Sequence, residues 1–368
     1  MHDPDLLLFL SSIFADSPGR IHALLQAVET WEDLRQKPDD WFDPLALRAE
    51  TKTKFLQWRS GFNPTRYRAW VENQGIRMLG LGDPDYPSLL SEIPDPPAIL
   101  YLKGNAQVLS LPGLGFVGPR KASAYGIQVA KTLVKALGSQ FSTVSGLAEG
   151  VDTAAHQAAL EEGFITVAVV ATGLDIVYPT QNRRLAETLV QTGAMVSEFP
   201  PGTPSLAFRF PQRNRIISGL SLGVVVCEAG DKSGSLITAR HALEQGREVF
   251  AVPNSIFSPH AAGVHRLIQD GAKLVQTPND IADELGRPLE PTAKATPTQP
   301  QALPPLPNTL SADEKTILSH LDTPHSLDAL AVKTGLAIGL LLPLLSGLEL
   351  QGLIQDQGGS NYQRQPHL

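Results

Sequence analysis

The run Phe210-Pro211-Gln212-Arg213-Asn214-Arg215-Ile216-Ile217 sets an aromatic ring, two guanidinium groups and a carboxamide just ahead of an apolar, β-branched stretch at 222–228. That stretch leads into Gly230-Asp231-Lys232-Ser233-Gly234-Ser235-Leu236, a small-residue loop that opens a helical pattern. Guanidinium forks and free N–H groups at a helix start are donors suited to phosphate oxygens. A ring beside them suits an unpaired base, which stacks without regard to sequence. Phe210, Arg213, Asn214 and Arg215, with Lys232, Ser233, Gly234 and Ser235, are therefore the expected contacts of a single-stranded nucleic acid. Arg213 and Arg215 stand two positions apart and cannot share a helix face, so they are expected to meet different phosphates or partners. The alternative is a ring in the core with both arginines on an ordinary polar helix face. Phe210, between Arg209 and Pro211, fits a loop or an exposed position better than an interior strand.

Two further turns carry the same chemistry. Gly118-Pro119-Arg120-Lys121 would hold Arg120 over a crevice as a phosphate clamp, or be a solvated turn with two surface cations. Ser145-Gly146-Leu147-Ala148-Glu149-Gly150-Val151-Asp152 packs two glycines around a helix start, where the backbone can approach an anion closely. A sterically required turn capped by Asp152 would use the same residues. Gly113-x-Gly115-x-x-Gly118 matches a dinucleotide fingerprint as a string, but Gly115 begins a strand where the fingerprint must follow one. No Gly-Lys pair occurs, so there is no Walker A loop. Asp152 and His156, at i and i+4, could form an acid–base pair, but no motif sets a nucleophile beside them. A hydrogen bond within the fold is the preferred reading. No cofactor is implied.

These turns require strands that end together. Short β-branched runs at 114–117, 141–145, 165–171, 194–198, 224–228 and 247–252 alternate with helical patterns near 127–137, 152–160, 183–191 and 236–245. That alternation implies an α/β, doubly wound, mainly parallel sheet covered on both faces. Ligands of such sheets bind beyond the carboxyl ends of the strands, where all three turns fall.

Composition sets the class. With 368 residues, 18% charged and 42% hydrophobic, the chain is globular and multi-domain. The single cysteine, Cys227, excludes a disulfide framework and a multi-cysteine zinc site and fits a reducing compartment. No run approaches ~20 apolar residues, and the apolar 6–10 segment lacks a basic flank, so a cytoplasmic protein with no membrane span is expected. The net charge of −7 divides unevenly, about −4 in residues 1–111 but near −1 in 112–286. A phosphate site must therefore be a local basic pocket in that middle region.

The ends add smaller units. Residues 1–75 read as helical, with Trp31, Trp41, Trp58 and Trp70 as core, and Asp16-Ser17-Pro18-Gly19-Arg20 is a weak helix-hairpin-helix signal. Residues 76–111 read as a Pro-rich extended connector, 112–287 as the core and 288–307 as a Pro-rich linker. Ser311 and Glu314 have capping-box spacing, and three helical patterns followed by a hairpin at 353–363, with Gly358-Gly359 at its turn, read as a winged-helix domain over 308–368. Residues 335–363 contain no Lys or Arg, so this domain is expected to be a protein-contact or regulatory module rather than a DNA reader.

The ordered motifs Gly118-x-Arg120, Ser145-Gly146-Leu147-Ala148-x-Gly150-x-Asp152, Gly173-Leu174-Asp175-x-x-Tyr178-Pro179, Phe210-Pro211-x-Arg213-Asn214-Arg215-Ile216-Ile217 and Ser233-Gly234-Ser235-Leu236 resemble the DNA-processing protein A family, also known as Smf. Asp83-Pro84-x-Tyr86-Pro87 and Asp95-Pro96-Pro97 fit as well, and the resemblance runs from about residue 76 to 285. It implies an extended Rossmann-like core that binds single-stranded DNA without catalysis, forms a homodimer through that core, and loads the RecA recombinase during natural transformation. It also implies an N-terminal sterile-alpha-motif-like domain and a C-terminal winged helix. By matching position, Arg120, Phe210, Arg213, Asn214 and the 233–235 loop would hold the strand. Pro119 stands where the family usually has Ser or Thr, and Asn254 where it usually has Gly. The competing class is a Rossmann-type nucleotide hydrolase resembling the lysine-decarboxylase-like phosphoribohydrolases. Their Pro-Gly-Gly-x-Gly-Thr is replaced here by Gly230-Asp231-Lys232-Ser233-Gly234-Ser235.

Overall fold

Nine strands join one sheet, and their order brings the three glycine-bearing turns to a common edge. The computed structural model describes residues 2–47, 49–289, 310–321, 325–351, 353–356 and 361–364. They divide into two compact units, Met1–Leu289 and Glu290–Leu368, and apart from residues 288 and 289 the expected linker lies outside the described residues.

The strands are β1 (Arg77–Gly80), β2 (Ile99–Gly104), β3 (Gly113–Val117), β4 (Ser142–Ser145), β5 (Thr166–Val169), β6 (Ala194–Ser197), β7 (Gly223–Val226), β8 (Glu248–Ala251) and β9 (Lys273–Leu274). Their spatial order is β1-β2-β6-β5-β4-β3-β7-β8-β9. From β6 to β9 all pairings are parallel, with Leu114 of β3 opposite Thr143 of β4 and Gly223 of β7. The chain leaves β3 toward β4, β5 and β6, then returns to the other side of β3 for β7. The boundary between β3 and β7 is thus a topological switch point, where the turns diverge and leave a crevice. Gly113 and Gly115 lie inside β3, so the string they form with Gly118 is not a dinucleotide loop.

Residues 76–111 are not a free connector. β1 and β2 pair antiparallel and extend the sheet past β6, with Tyr101 opposite Ser197. A four-residue hydrophobic stretch such as Ile99-Leu100-Tyr101-Leu102 is fully buried because both of its faces are covered. On one face of the parallel sheet Phe116, Val225 and Phe250 pack with Val134, Leu137 and Ala155. On the other, Val144, Val224 and Val226 pack with Ile216 and Ala239.

The N-terminal helices are Pro4–Phe14, Pro18–Ala27, Trp31–Gln36, Ala49–Gly61 and Pro64–Glu72. Three begin with proline, whose missing N–H is harmless in a first turn. Asp3 caps the first helix through the Asp5 N–H and also accepts the Trp31 N–H at 2.7 Å. Phe9 packs against Trp31, Phe55 and Phe62, and truncating a ring so buried would cost about 3–5 kcal/mol. This aromatic cluster is continuous with Tyr101, Ala168, Val170 and Met195 of the sheet, so the N-terminal helices share a core with it.

In the second unit, helices Ala312–Ser319, Leu327–Thr334 and Ile338–Leu350 accompany a three-stranded antiparallel sheet. Its strands are β10 (His325–Ser326), β11 (Ile354–Asp356) and β12 (Asn361–Arg364), in the order β10-β12-β11. Ser311 and Glu314 cap each other reciprocally, at 2.8 and 3.3 Å. Leu318, Leu330, Leu341 and Leu345 form the core, and the expected Gly358-Gly359 turn lies outside the described residues. This is a winged-helix arrangement, with Pro343 inside its third helix. Among the described residues no single helix is long and apolar enough to cross a membrane, although the two helices after β10, bent by 109°, pass that test together.

Candidate nucleic-acid interface

The helix Arg209–Gly219 carries the residues that the sequence singles out, and it begins earlier than expected. Phe210 sits in its first turn rather than on a loop, with Pro211 where a helix tolerates proline. The turn points Phe210 and Asn214 outward at the carboxyl end of the sheet, both half-buried, while Arg213 turns inward.

A cavity of about 440 Å³ opens there between the turn after β3, the helix start at Val151 and the helix Ser235–Glu244. Gly118 and Arg120 line it from the first turn, Phe210, Arg213 and Asn214 from the helix, and Ser233, Gly234 and Ser235 from the loop after β7. The exposed Arg120 guanidinium lies over the Phe210 ring, 4.7 Å from its centroid, and that of Arg213 lies 6.0 Å away. Tyr178, exposed and 5.7 Å from Phe210 between centroids, extends the aromatic surface into a small neighbouring recess. The hydroxyls of Ser233 and Ser235 bond each other at 2.7 Å at the start of a ten-residue helix, whose dipole favours an anion, while the Ser233, Leu236 and Ile237 N–H groups already donate to the Gly230, Ser233 and Gly234 carbonyls.

Beneath this surface the buried charges of Arg213 and Asp152 are held by backbone groups. Arg213 is 3% exposed and its Nη1 donates to the carbonyls of Gly146, at 2.6 Å, and Val169. Its guanidinium occupies the space a side chain on residue 146 would need, so only glycine fits there. Gly150 has φ +80° and sits against the Pro119 carbonyl, a second position where the backbone requires glycine. The Asp152 carboxylate accepts the Gly146 and Ala148 N–H groups at 3.1 and 3.3 Å. Burial raises the Asp152 pKa to about 6, against the pull of Arg213. Burial lowers that of Arg213 to about 10, with Asp152 opposing and Arg120 adding to the shift, so it stays cationic at neutral pH. His156 bonds Thr166 through Nδ1 at 2.7 Å, and burial lowers its pKa to about 3. It is therefore a neutral fold residue and does not pair with Asp152.

Some expected contacts fall elsewhere. Arg215 is not brought to the cavity: it is buried and donates to the buried carboxylate of Glu198 at 2.6 and 3.3 Å. The sequence separates it correctly from Arg213, but its partner is a carboxylate rather than a phosphate. Ser145 is fully buried and donates to the Phe116 carbonyl at 2.7 Å, tying β4 to β3. Gly146 lines only the recess beside Phe210, and Gly150 shapes the turn beneath Arg120. Lys232 is exposed and faces an adjoining groove with Arg240 and Arg266. Cys227 is buried, and burial pushes its thiol pKa well above the ordinary range. Asn254, by contrast, has an evident role: its amide donates to Glu228 at 3.1 Å, and that carboxylate also accepts the Ser123 N–H at 3.0 Å. The site residue least legible on chemical grounds is Tyr178, which only the motif resemblance marks.

Residues 77–286 match the family model described as DNA recombination-mediator protein A, and residues 299–360 match that of the DprA winged helix domain. Protein Smf of Synechocystis is 37% identical over 341 residues, covering 84% of this chain and 86% of that protein. DNA processing protein DprA of Streptococcus pneumoniae is 48% identical over 213 residues, 58% of this chain and 76% of that protein. The crystal structure of the pneumococcal protein superposes with a TM-score of 0.66 at 37% identity, covering 77% of this chain and 99% of that one. A structure of DNA processing protein A from Helicobacter pylori, described for its single-stranded DNA binding mode, gives 0.52 at 28% identity over 57% of this chain and 95% of that one. The chain belongs to the DNA recombination-mediator protein A family, the DprA or Smf proteins.

Proposed function

We propose that this protein binds single-stranded DNA in the crevice between β3 and β7, without a catalytic step, protects the strand, and loads the RecA recombinase onto it during natural transformation. It acts in the cytoplasm as a homodimer joined through the core. The observation that carries the reading is the pairing of an exposed cation with a ring, Arg120 over Phe210, at the mouth of a cavity that also receives a helix N-terminus. A phosphate takes the guanidinium and the positive end of the helix dipole beside the 233–235 loop while a base takes the ring. Family membership and the DNA-binding description of the Helicobacter pylori relative support the same reading.

Fluorescence anisotropy of labelled oligo-dT against duplex of equal length, titrated with salt, tests it. Preferential binding of the single strand, with a log–log salt slope of about −0.7 per phosphate contact, is expected. Equal binding of both would refute it. A nucleotide hydrolase is a second reading, favoured by one observation: the Asp152 carboxyl lines the cavity with a pKa near 6, where a general acid or base is useful. Release of free base from a nucleoside monophosphate would establish it.

A further inference from the structure

Two of the four tryptophans are not core residues. Trp58 and Trp70 are 42% and 46% exposed, whereas Trp31 is buried. They flank a groove of about 660 Å³ on the N-terminal helices, closed on one side by Pro200 and Pro201 of the loop after β6. The rings run in series: Trp58 to Phe62 is 5.7 Å between centroids, Phe62 to Tyr67 is 5.5 Å, and Tyr67 to Trp70 is 5.6 Å. The Trp58 indole N–H donates to the Ser12 hydroxyl at 2.8 Å, which holds that ring in place. Arg66 also lines the groove and, among the described residues, has no ion-pair partner, while no carboxylate lines it. In a segment of net charge about −4, that is a local reversal of sign.

We propose that this groove is a second contact for the same single strand, taking one or two unpaired bases on Trp58 and Trp70 and a phosphate on Arg66. The inference rests on the reading that the core crevice binds single-stranded DNA. Its support is charge complementarity together with continuity along one edge of the sheet. Gly202, next to Pro201, donates its N–H to Asp175 at 2.9 Å, and three residues on, Tyr178 touches the Phe210 ring of the crevice. A strand leaving the crevice past Tyr178 therefore runs toward the groove. Exposed rings with a cation and no acid are the surface that unpaired bases with their phosphates require, and stacking on them tolerates any sequence.

The test uses the full chain and two labelled probes, oligo-dT of about 8 and about 30 nucleotides, bracketing the site sizes of single-strand binders. Trp70→Ala should weaken binding of the long probe about 5- to 100-fold and leave the short one unchanged, with Trp70→Phe recovering most of the loss. Arg66→Ala should reduce the salt slope for the long probe by about 0.7. The long probe should quench tryptophan fluorescence, and less so in Trp70→Ala. Unchanged long-probe affinity and quenching in both variants would overturn the proposal. So would quenching by a Pro-rich peptide but not by oligo-dT, which would assign the groove to peptide. Failure of the crevice reading shows separately, as a short probe that the unaltered protein does not bind or that Phe210→Ala binds equally well.

Discussion

The carboxylate of Asp16 accepts two hydrogen bonds from the guanidinium of Arg209, at 2.6 and 2.7 Å, across a sequence separation of 193 residues. The Gln212 amide adds a bond to the Ala15 carbonyl at 2.8 Å. The end of the first helix thus holds the first turn of the helix that carries Phe210 and Arg213, and Arg209 is further packed against the rings of Phe199 and Phe208. Asp16→Ala removes a charged pair whose arginine is almost buried, and should cost about 1–3 kcal/mol in denaturant unfolding. Affinity for oligo-dT should fall with it, because the turn that aims Phe210 loses its anchor. Unchanged affinity in a destabilised protein would limit the contact to a structural role.

Phe210 and Arg120 should separate by kind of effect. Phe210→Ala is expected to lose about 1–3 kcal/mol of single-strand binding with the salt slope unchanged, and Phe210→Tyr to keep most of it. Arg120→Ala should instead lower the slope by about 0.7. Anisotropy at several salt concentrations distinguishes the two, and a slope change in the phenylalanine variant would count against stacking.

Arg215 should behave as a residue of the fold. With Glu198 also buried, Arg215→Ala leaves that carboxyl without its guanidinium partner and should destabilise by about 3–5 kcal/mol, while Arg215 has a second carboxylate, Asp95, at 3.8 Å. Burial raises the Glu198 pKa to about 7, with Arg215 opposing. Its contribution to stability is therefore full below its ordinary value of 4.5 and is lost as the pH rises through about 7. Glu198→Gln should remove that part of the pH profile. Urea unfolding across this range checks both statements, and a loss of DNA affinity in a stably folded Arg215 variant would contradict them.

Asp152 should make DNA binding pH-dependent. Its raised pKa favours folding fully below 3.8, an advantage lost as the pH rises through about 6. Protonation in that window also removes a negative charge that lines the cavity next to Arg213, so affinity for oligo-dT should rise from pH 7 to 5. Asp152→Asn should bind with the higher affinity throughout and show a flatter profile. His156, depressed to about 3, works oppositely on stability: its contribution is present above 6.5 and lost as the pH falls through about 3. A profile in Asp152→Asn that matches the unaltered protein would move the titration to another group.

The sequence by itself determined the parallel sheet and its turns. Strand runs such as 114–117 and 224–227 are apolar on both faces, a pattern set by local sequence, and the turn at Gly118 follows directly from the first of them, as those at Gly146 and Gly150 follow the run at 141–145. It also marked Arg120, Phe210, Asn214 and the 233–235 loop, whose placement needs only that strand ends coincide. What it could not determine is which cations face solvent. Arg209, Arg213 and Arg215 are chemically alike and nearly adjacent, yet one meets Asp16, one meets two backbone carbonyls and one meets Glu198. Nor could it separate Trp58 and Trp70 from Trp31, or see that β1 and β2 extend the sheet. Each of these outcomes depends on a partner far away in the chain, and only the tertiary structure brings such partners within a few ångströms.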